Sequence, residues 1–579
     1  MKVLLLHPED MLPPPAPDQR WDLVVDFGRS PAAIYGAWSR QTGCRVLSLS
    51  ALVEEVSDLY REKELLQLGL GAMVDEHGLD WWDVVSMMIE QPLRTCILLP
   101  RLASFLAAGI DLYASRSDPW FEALRALLGV RLSFLPQARG RAARRLAHYR
   151  AALRALDAAT IAQVLQDKFD REHRLRRRLI RRKPSSGRPV VLLPSAYINV
   201  SRTEAAYARL LPEQEFLLAV ARRSARLSPL PANVRMISLD PYFGPIHEKE
   251  LQQMLEAWEG LSRRLMDSAP EFAAAEAGGV LAQIPGYLRW CMAVRDAWLR
   301  LFQAETITAC LSADEGNPYS RIPLILARHE GIPALACHHG IFEMRLAIKP
   351  LQADFFLAKG EIERDYAVRI GRVAPEKIVL GGPESCEVPA VHSEAAASAR
   401  RWLVFFTEPY AADGWRMEEL YRDLLPHLTA LTAAAGWQLV FKLHPFENVP
   451  GQWRLLRRCL PPSQLKGIQV MGGPIRDEIW QKARCAITVE STVALECASR
   501  GIPVFLLGWL RGSPGGYISQ FERFGIARVL HLPAEIASIP RLLEAASTAP
   551  PQLWTRLDPR EFEALLSGKI ASTGRANLS

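Results

Sequence analysis

The sequence predicts an α/β protein with two Rossmann-like domains facing a cleft and an additional N-terminal α/β domain. Three observations predict it. Apolar runs such as Val190-Val191-Leu192-Leu193, Leu439-Val440-Phe441 and Val504-Phe505-Leu506-Leu507 are unbroken, as in strands buried on both faces of a parallel sheet. Helix-period stretches separate them, which is βαβ alternation. Several runs end abruptly in polar, chemically capable residues, and open parallel sheets hold their ligands at the carboxyl ends of their strands.

Composition sets the outer bounds. With 579 residues the chain is long for one core, and roughly three to four domains are expected. Its 70 basic and 63 acidic residues leave a net charge of +7, too mild to mark a nucleic-acid binder, and no nucleic-acid partner is expected. Nine cysteines are scattered through apolar runs; they read as buried thiols of a reducing cytoplasm. No Cys-x-x-Cys pair or His-rich spacing suggests zinc, and neither a metal nor a cofactor is expected. Met1-Lys2-Val3-Leu4-Leu5-Leu6 reads as a first strand rather than a signal peptide. The apolar stretch Cys96 to Ala114 is broken by Arg101 and Asp111, so no transmembrane helix is expected.

In chain order, residues 1–135 form the N-terminal α/β domain. Its strands are expected at Lys2 to Leu6, Asp22 to Asp26 and Cys44 to Leu49, with a helical pattern after Asp58. Residues 136–188 are a basic helical linker, densest in arginine over 171–183. Such a helix is a solvated face, an interdomain clamp or a peripheral contact with anionic lipid, which would put a cytoplasmic protein at the inner membrane. A Rossmann-like domain spans 189–385, with a helical insertion from Glu248 to Gln303 whose Trp258, Trp290 and Trp298 are expected in the core. Its strand Thr306 to Leu311 ends in Asp314-Glu315-Gly316, and Pro333 to Cys337 ends in His338-His339-Gly340. Pro323 is expected near the first turn of the helix after Asp314. Residues 386–400 lack an apolar period and read as a linker. The last Rossmann-like domain, 401–545, has Thr407-Glu408-Pro409, Lys442-Leu443-His444-Pro445 and Glu490-Ser491-Thr492 at its strand ends, and 546–579 is a C-terminal helix and tail.

These motifs resemble known ones. Asp314-Glu315-Gly316 is similar to the acidic motif of bacterial sialyltransferases and polysialyltransferases, His444-Pro445 to their His-Pro motif, and Ser491-Thr492 to the Ser/Thr pair they place near the donor phosphate. His339-Gly340 and Lys442-x-His444-Pro445 resemble elements of capsule Kdo transferases and of teichoic-acid glycerophosphotransferases. The resemblance covers roughly residues 189–530 and implies the GT-B fold of glycosyltransferases. It implies a cytoplasmic, metal-independent glycosyltransferase of surface or capsular polysaccharide biosynthesis. The donor would be a nucleotide-sugar, CMP-linked by preference, and the acceptor a glycan or a lipid-linked acceptor.

By the same resemblance Asp314 is the catalytic base, with Glu315 the alternative, and 189–385 is the acceptor side. His444 binds or protonates the leaving phosphate, which Ser491, Thr492 and a helix N-terminus hold. His339, Gly340, Lys442, Pro445, Glu490 and Glu496 complete the expected donor site. Lys442 reads equally as a solvated strand lysine, Glu496 as a surface glutamate and His338 as a strand cap. Three other functions fit the same architecture: a CDP-glycerol glycerophosphotransferase, a nucleotide-sugar 2-epimerase, and a non-catalytic nucleotide- or glycan-binding subunit. The first expects an Asp where Glu490 stands.

Overall fold

The computed structural model describes residues 1–13, 20–106, 109–114, 116–135, 180–182, 185, 187–340, 348–383, 400–410, 414–444, 447–510, 517–544 and 553–569. Most of the basic linker, nearly all of 386–400, Pro445 and the tail beyond Lys569 lie outside these residues. The expected α/β class holds: the described strands form three sheets, and their pairings are parallel. Among the described residues no helix is long and apolar enough to cross a membrane.

The first sheet joins β1 (Lys2–Leu6), β2 (Leu23–Asp26), β3 (Arg45–Ser48), β4 (Asp111–Ala114) and β5 (Leu132–Phe134) in the order β3-β2-β1-β4-β5. Only its first three strands were legible in the sequence. Asp111 opens β4 with a charge at the end of what reads as a helical run, and β5 is three partly exposed residues.

The second sheet contains β6 (Pro189–Ser195), β7 (Phe216–Val220), β8 (Val234–Ser238), β9 (Thr306–Ser312), β10 (Ala334–Ala336), β11 (Phe355–Ala358) and β12 (Ile378–Leu380), ordered β12-β11-β10-β9-β6-β7-β8. The third contains β13 (Trp402–Phe406), β14 (Gln438–Lys442), β15 (Ile468–Met471), β16 (Ala483–Thr488), β17 (Val504–Leu507) and β18 (Arg528–Leu530), ordered β15-β14-β13-β16-β17-β18. In each sheet the chain builds outward from its first strand, then returns to pair the fourth against that strand's other edge. This reversal opens a crevice beyond the carboxyl ends, between β6 and β9 in one sheet and β13 and β16 in the other.

The described residues fall into two compact units. One draws on 1–56, 98–147 and 388–553 and contains the first and third sheets; the other draws on 57–97, 148–387 and 554–579 and contains the second. Residues 1–135 therefore contribute to both.

In the first unit, Phe405, Phe441, Ile487 and Phe505 of the third sheet pack with Leu424 and Leu428 of the helix Met417–Ala435. In the second, Leu193, Leu218, Leu311 and Leu357 pack with Leu557, Phe562 and Leu565. The last three come from the segment leading into the helix Pro559–Leu566 and from that helix, so this part of the C-terminus is core. Trp258 and Trp298 are buried as expected, whereas Trp290 is half-buried and stands edge-on to Tyr319. Seven of the eight described cysteines are buried and Cys459 is partly so; all eight are free thiols.

The helix after Asp314, Pro318–His329, starts where local chemistry dictates. The Asn317 side-chain oxygen accepts the Tyr319 N–H at 2.9 Å, and Pro318 takes the first helical position, where no N–H is needed. Pro323 lies past the first turn, inside the helix, and not near its start as the sequence suggested. The helix is held by Arg321, which forms a two-pronged pair with Asp83 (2.7 and 2.9 Å) and donates to the Pro350 carbonyl. Lys349 and Gln352 converge on the same Asp83.

Arg321 and Asp83 are 1% and 2% exposed, so removing one leaves the other charged and buried. Arg321→Ala is expected to destabilise the second unit by about 3–5 kcal/mol, measured by urea denaturation. A loss below about 1 kcal/mol, the usual value of a surface pair, would contradict that account.

Candidate functional site

At the β6/β9 crevice the chain leaving β9 turns through Ala313-Asp314-Glu315-Gly316-Asn317. Asp314 is 4% exposed. One carboxylate oxygen accepts the Gly316 N–H at 2.7 Å; the other accepts the Tyr197 hydroxyl at 2.7 Å and the Asn317 side-chain amide. Tyr197 follows β6, so the two central strands deliver the two ends of this bond. His339, after β10, packs its ring against Tyr197 (centroids 5.9 Å) and hydrogen-bonds through Nδ1 to the Ala313 carbonyl at 3.2 Å. A carbonyl only accepts, so Nδ1 carries the hydrogen.

The structure therefore brings Asp314 and His339 together. His338 stacks on His339 and accepts the Gly340 N–H, a local turn role. Gly340 offers its carbonyl to Lys359.

Glu315 is placed differently from Asp314. One of its oxygens accepts the Gln352 N–H at 3.1 Å, while the other is buried without a hydrogen-bond partner among the described residues. Burial pushes its carboxyl up to about 7 against the pull of Arg321.

Sequence reasoning missed two residues here. Tyr197 sits in Ser195-Ala196-Tyr197-Ile198, where nothing flags chemistry. Glu204, on the helix Ile198–Ala208, is fully buried and accepts the Ala313 N–H at 3.2 Å. Burial, with the nearby Asp314 charge adding, raises its carboxyl well above the usual range. A charged residue in an otherwise ordinary helix gives no sequence sign of this.

The β13/β16 crevice, in the other unit, is built the same way. Glu408, after β13, accepts the Thr488 hydroxyl at 3.0 Å and the backbone N–H groups of Val489 (3.3 Å) and Glu490 (2.8 Å), all from the end of β16. Burial, reinforced by Glu490, pushes Glu408 up to about 7 despite these donors. The sequence placed Glu408 at a strand end but gave it no role.

Lys442 is not a solvated strand lysine: it is 4% exposed, donates to the Leu443 carbonyl at 2.9 Å, and burial lowers its basicity. Beside it, burial and the Lys442 charge lower the His444 imidazole below its ordinary value. The turn is tied by Glu447, which accepts the His444 N–H at 3.1 Å and the Thr407 hydroxyl. Pro445 lies outside the described residues.

Ser491 caps the helix Val493–Ser499 weakly, accepting the Val493 N–H at 3.4 Å; Thr492 is exposed and makes no side-chain cap. Glu490 is partly buried and joined to Glu408 through its N–H, whereas Glu496 is exposed.

No protein-family model and no curated protein matches the sequence. Among solved structures, the fold is similar to S. aureus MnaA in its UDP co-structure, with 12% identity over 67% of this chain and 97% of that one, TM-score 0.41. It is similar also to the UDP-GlcNAc 2-epimerase of Methanocaldococcus jannaschii in complex with UDP-GlcNAc and UDP, with 10% identity over 65% and 98%, TM-score 0.38. A third is the wall teichoic acid polymerase TagF, with 11% identity over 73% and 92%, TM-score 0.34. At these identities and scores the likeness assigns neither substrate nor reaction to this chain.

An acid raised from 4.5 to about 7 holds its proton more tightly in the folded chain than in the unfolded one. Its stabilising contribution is complete below the unfolded value and is lost as pH rises through about 7. Glu408→Gln, which keeps the acceptor oxygen and cannot ionise, is expected to gain about 1–3 kcal/mol on the wild type between pH 4 and pH 8 by urea denaturation. A difference that stays flat with pH would show that Glu408 titrates normally.

Proposed function

We propose that the chain is a GT-B glycosyltransferase of surface or capsular polysaccharide biosynthesis, acting in the cytoplasm on a nucleotide-sugar donor, CMP-linked by preference. The single observation that supports this most is the repetition at the switch points. One crevice carries a buried carboxylate with directed hydrogen bonds; the other carries Glu408 and the start of a short helix, flanked by a buried lysine and a histidine at the end of the neighbouring β14. Those are the groups that glycosyl transfer divides between acceptor and donor. In this reading residues 189–385 hold the acceptor and residues 401–545 the nucleotide.

Transfer forms a bond from an acceptor hydroxyl oxygen to the anomeric carbon and breaks the bond from that carbon to the donor phosphate. The hydroxyl proton passes to Asp314, which the donors from Tyr197, Gly316 and Asn317 keep aimed. Asp314 serves this role better than Glu315, which is tied to the Gln352 backbone and holds its proton up to about 7. His339 lines the same crevice and orients the sugar, with Gly340 completing its turn.

The departing phosphate is received by Lys442, by His444 and by the N–H groups that follow Ser491 and Thr492. The lowered basicity of His444 favours binding phosphate through a ring N–H over proton donation. In this reading Glu490 belongs to the donor site and Glu496 meets a ribose hydroxyl. Charge on the leaving group is met by side chains and backbone, so no step calls for a metal.

A thermal-shift and calorimetric screen of CMP, CDP, UDP and GDP tests the donor assignment: CMP is expected to stabilise the wild type selectively and to lose that effect in His444→Ala. Selective UDP or GDP binding would overturn the CMP preference, and silence from all four would overturn the transferase itself. With a competent donor and acceptor, Asp314→Ala is expected to lower kcat by about 10²–10⁴-fold while nucleotide binding persists. An isomerised sugar formed without acceptor would instead identify a 2-epimerase.

A further inference from the structure

A cavity of about 270 Å³ opens beyond the carboxyl ends of β7 and β8, on the same sheet and at the same end as Asp314. Its wall pairs two arginines, Arg181 and Arg226, with the apolar side chains of Val220 and Met236 and with Tyr242. Among the described residues neither guanidinium is engaged by a carboxylate. The nearby Asp240 carboxylate is fully buried and accepts at 2.6 Å the hydroxyl of Ser238, a residue of the cavity wall. Arg182 stacks over the Tyr242 ring at 4.7 Å, adding a third cation beside the opening.

Two guanidiniums on an apolar wall are suited to an oxyanion joined to a hydrocarbon. The basic edge also runs toward Asp314. Arg222, earlier in the loop after β7, lies over the ring of Tyr319 at 5.7 Å, and Tyr319 is the residue whose N–H Asn317 caps. From β9 to β7 and β8 is two to three strand spacings, about 10–15 Å. A short saccharide spans that distance.

We propose that this cavity is an acceptor-anchoring site that binds the diphosphate, and the first part of the hydrocarbon, of a lipid-linked glycan whose free hydroxyl lies at Asp314. This rests on the transferase reading for the part played by Asp314, but the cavity's chemistry stands apart from it. The proposal selects a substrate class: a glycan carried on a prenyl-type diphosphate rather than a free neutral saccharide.

Calorimetry of the full chain with inorganic pyrophosphate and with geranyl diphosphate tests it. Geranyl diphosphate is expected to bind about 10-fold more tightly than pyrophosphate, because the apolar wall contributes. Both are expected to weaken at least 10-fold in Arg181→Ala/Arg226→Ala, a change of surface side chains that leaves the fold intact, and to be unaffected by His444→Ala. Unchanged affinity in the double variant overturns the site. Loss in His444→Ala instead places the probe at the nucleotide-phosphate site and overturns it equally. Equal affinity for the two probes removes the hydrocarbon and with it the lipid-linked class. If no nucleotide binds the wild type while diphosphate binding still depends on Arg181 and Arg226, the transferase reading fails and the anion site remains.

Discussion

A strand buried on both faces of a parallel sheet has no room for a polar side chain along its length, so polar chemistry is confined to its ends. The topology then selects which ends matter. Where the strand order reverses, connections leave the two central strands toward opposite faces, and the space beyond their carboxyl ends is not closed by a crossover. Each sheet of this chain has one such reversal, and in each a polar interaction spans it: Tyr197 with Asp314, Glu408 with the end of β16, and His7 with Asp118 at 3.2 Å after β1 and β4.

Concentrating polar groups in these crevices creates a problem that the chain solves in two ways. Some carboxyls hold their proton more tightly: Glu204, Glu315 and Glu408 are all raised chiefly by burial, which disfavours the charged form. Others are matched with a fixed cation. Asp83 receives both prongs of Arg321 as well as Lys349 and Gln352, and this cluster braces the helix that begins just after Asp314. Asp314 is held differently. It is met by neutral donors alone among its described hydrogen bonds, from a phenol, an amide and a backbone N–H, an arrangement that orients a carboxylate without pairing it to a cation.

How far the sequence could be read follows from the same physics. Long apolar runs such as Val190 to Leu193 and Leu439 to Phe441 announced central strands, and the polar residues ending them announced where to look. Two short edge strands carried no such signal: β5 and β18 each have three residues, and neither stood out from its surroundings. The C-terminal helix was expected, but not that Leu557 and Phe562 belong to the core, because their partners lie far back in the chain and amphipathic spacing does not name the sheet it covers. Tyr197 and Glu204 were invisible for a related reason. Their meaning comes from β6 and β9 lying side by side though more than 100 positions apart in the chain, a neighbourhood no local pattern encodes.

In the first sheet, strand ends beside the reversal are filled by the protein itself. Arg416, just before the helix Met417–Ala435, donates to both oxygens of Asp26 at 2.6 and 2.7 Å, to the Ser30 hydroxyl and to the Asp10 carbonyl, while Ser30 donates to Glu419. Gly28 is small for this reason: a Cβ there would come within 3.0 Å of both the Arg416 guanidinium and the backbone of Pro8. An arginine from later in the chain therefore occupies the strand ends β1 and β2 in the way a ligand's charged group would. The same loop geometry that elsewhere presents Asp314 and Lys442 is here satisfied internally, since buried strand-end carbonyls and carboxylates require partners whether these come from a substrate or from the protein.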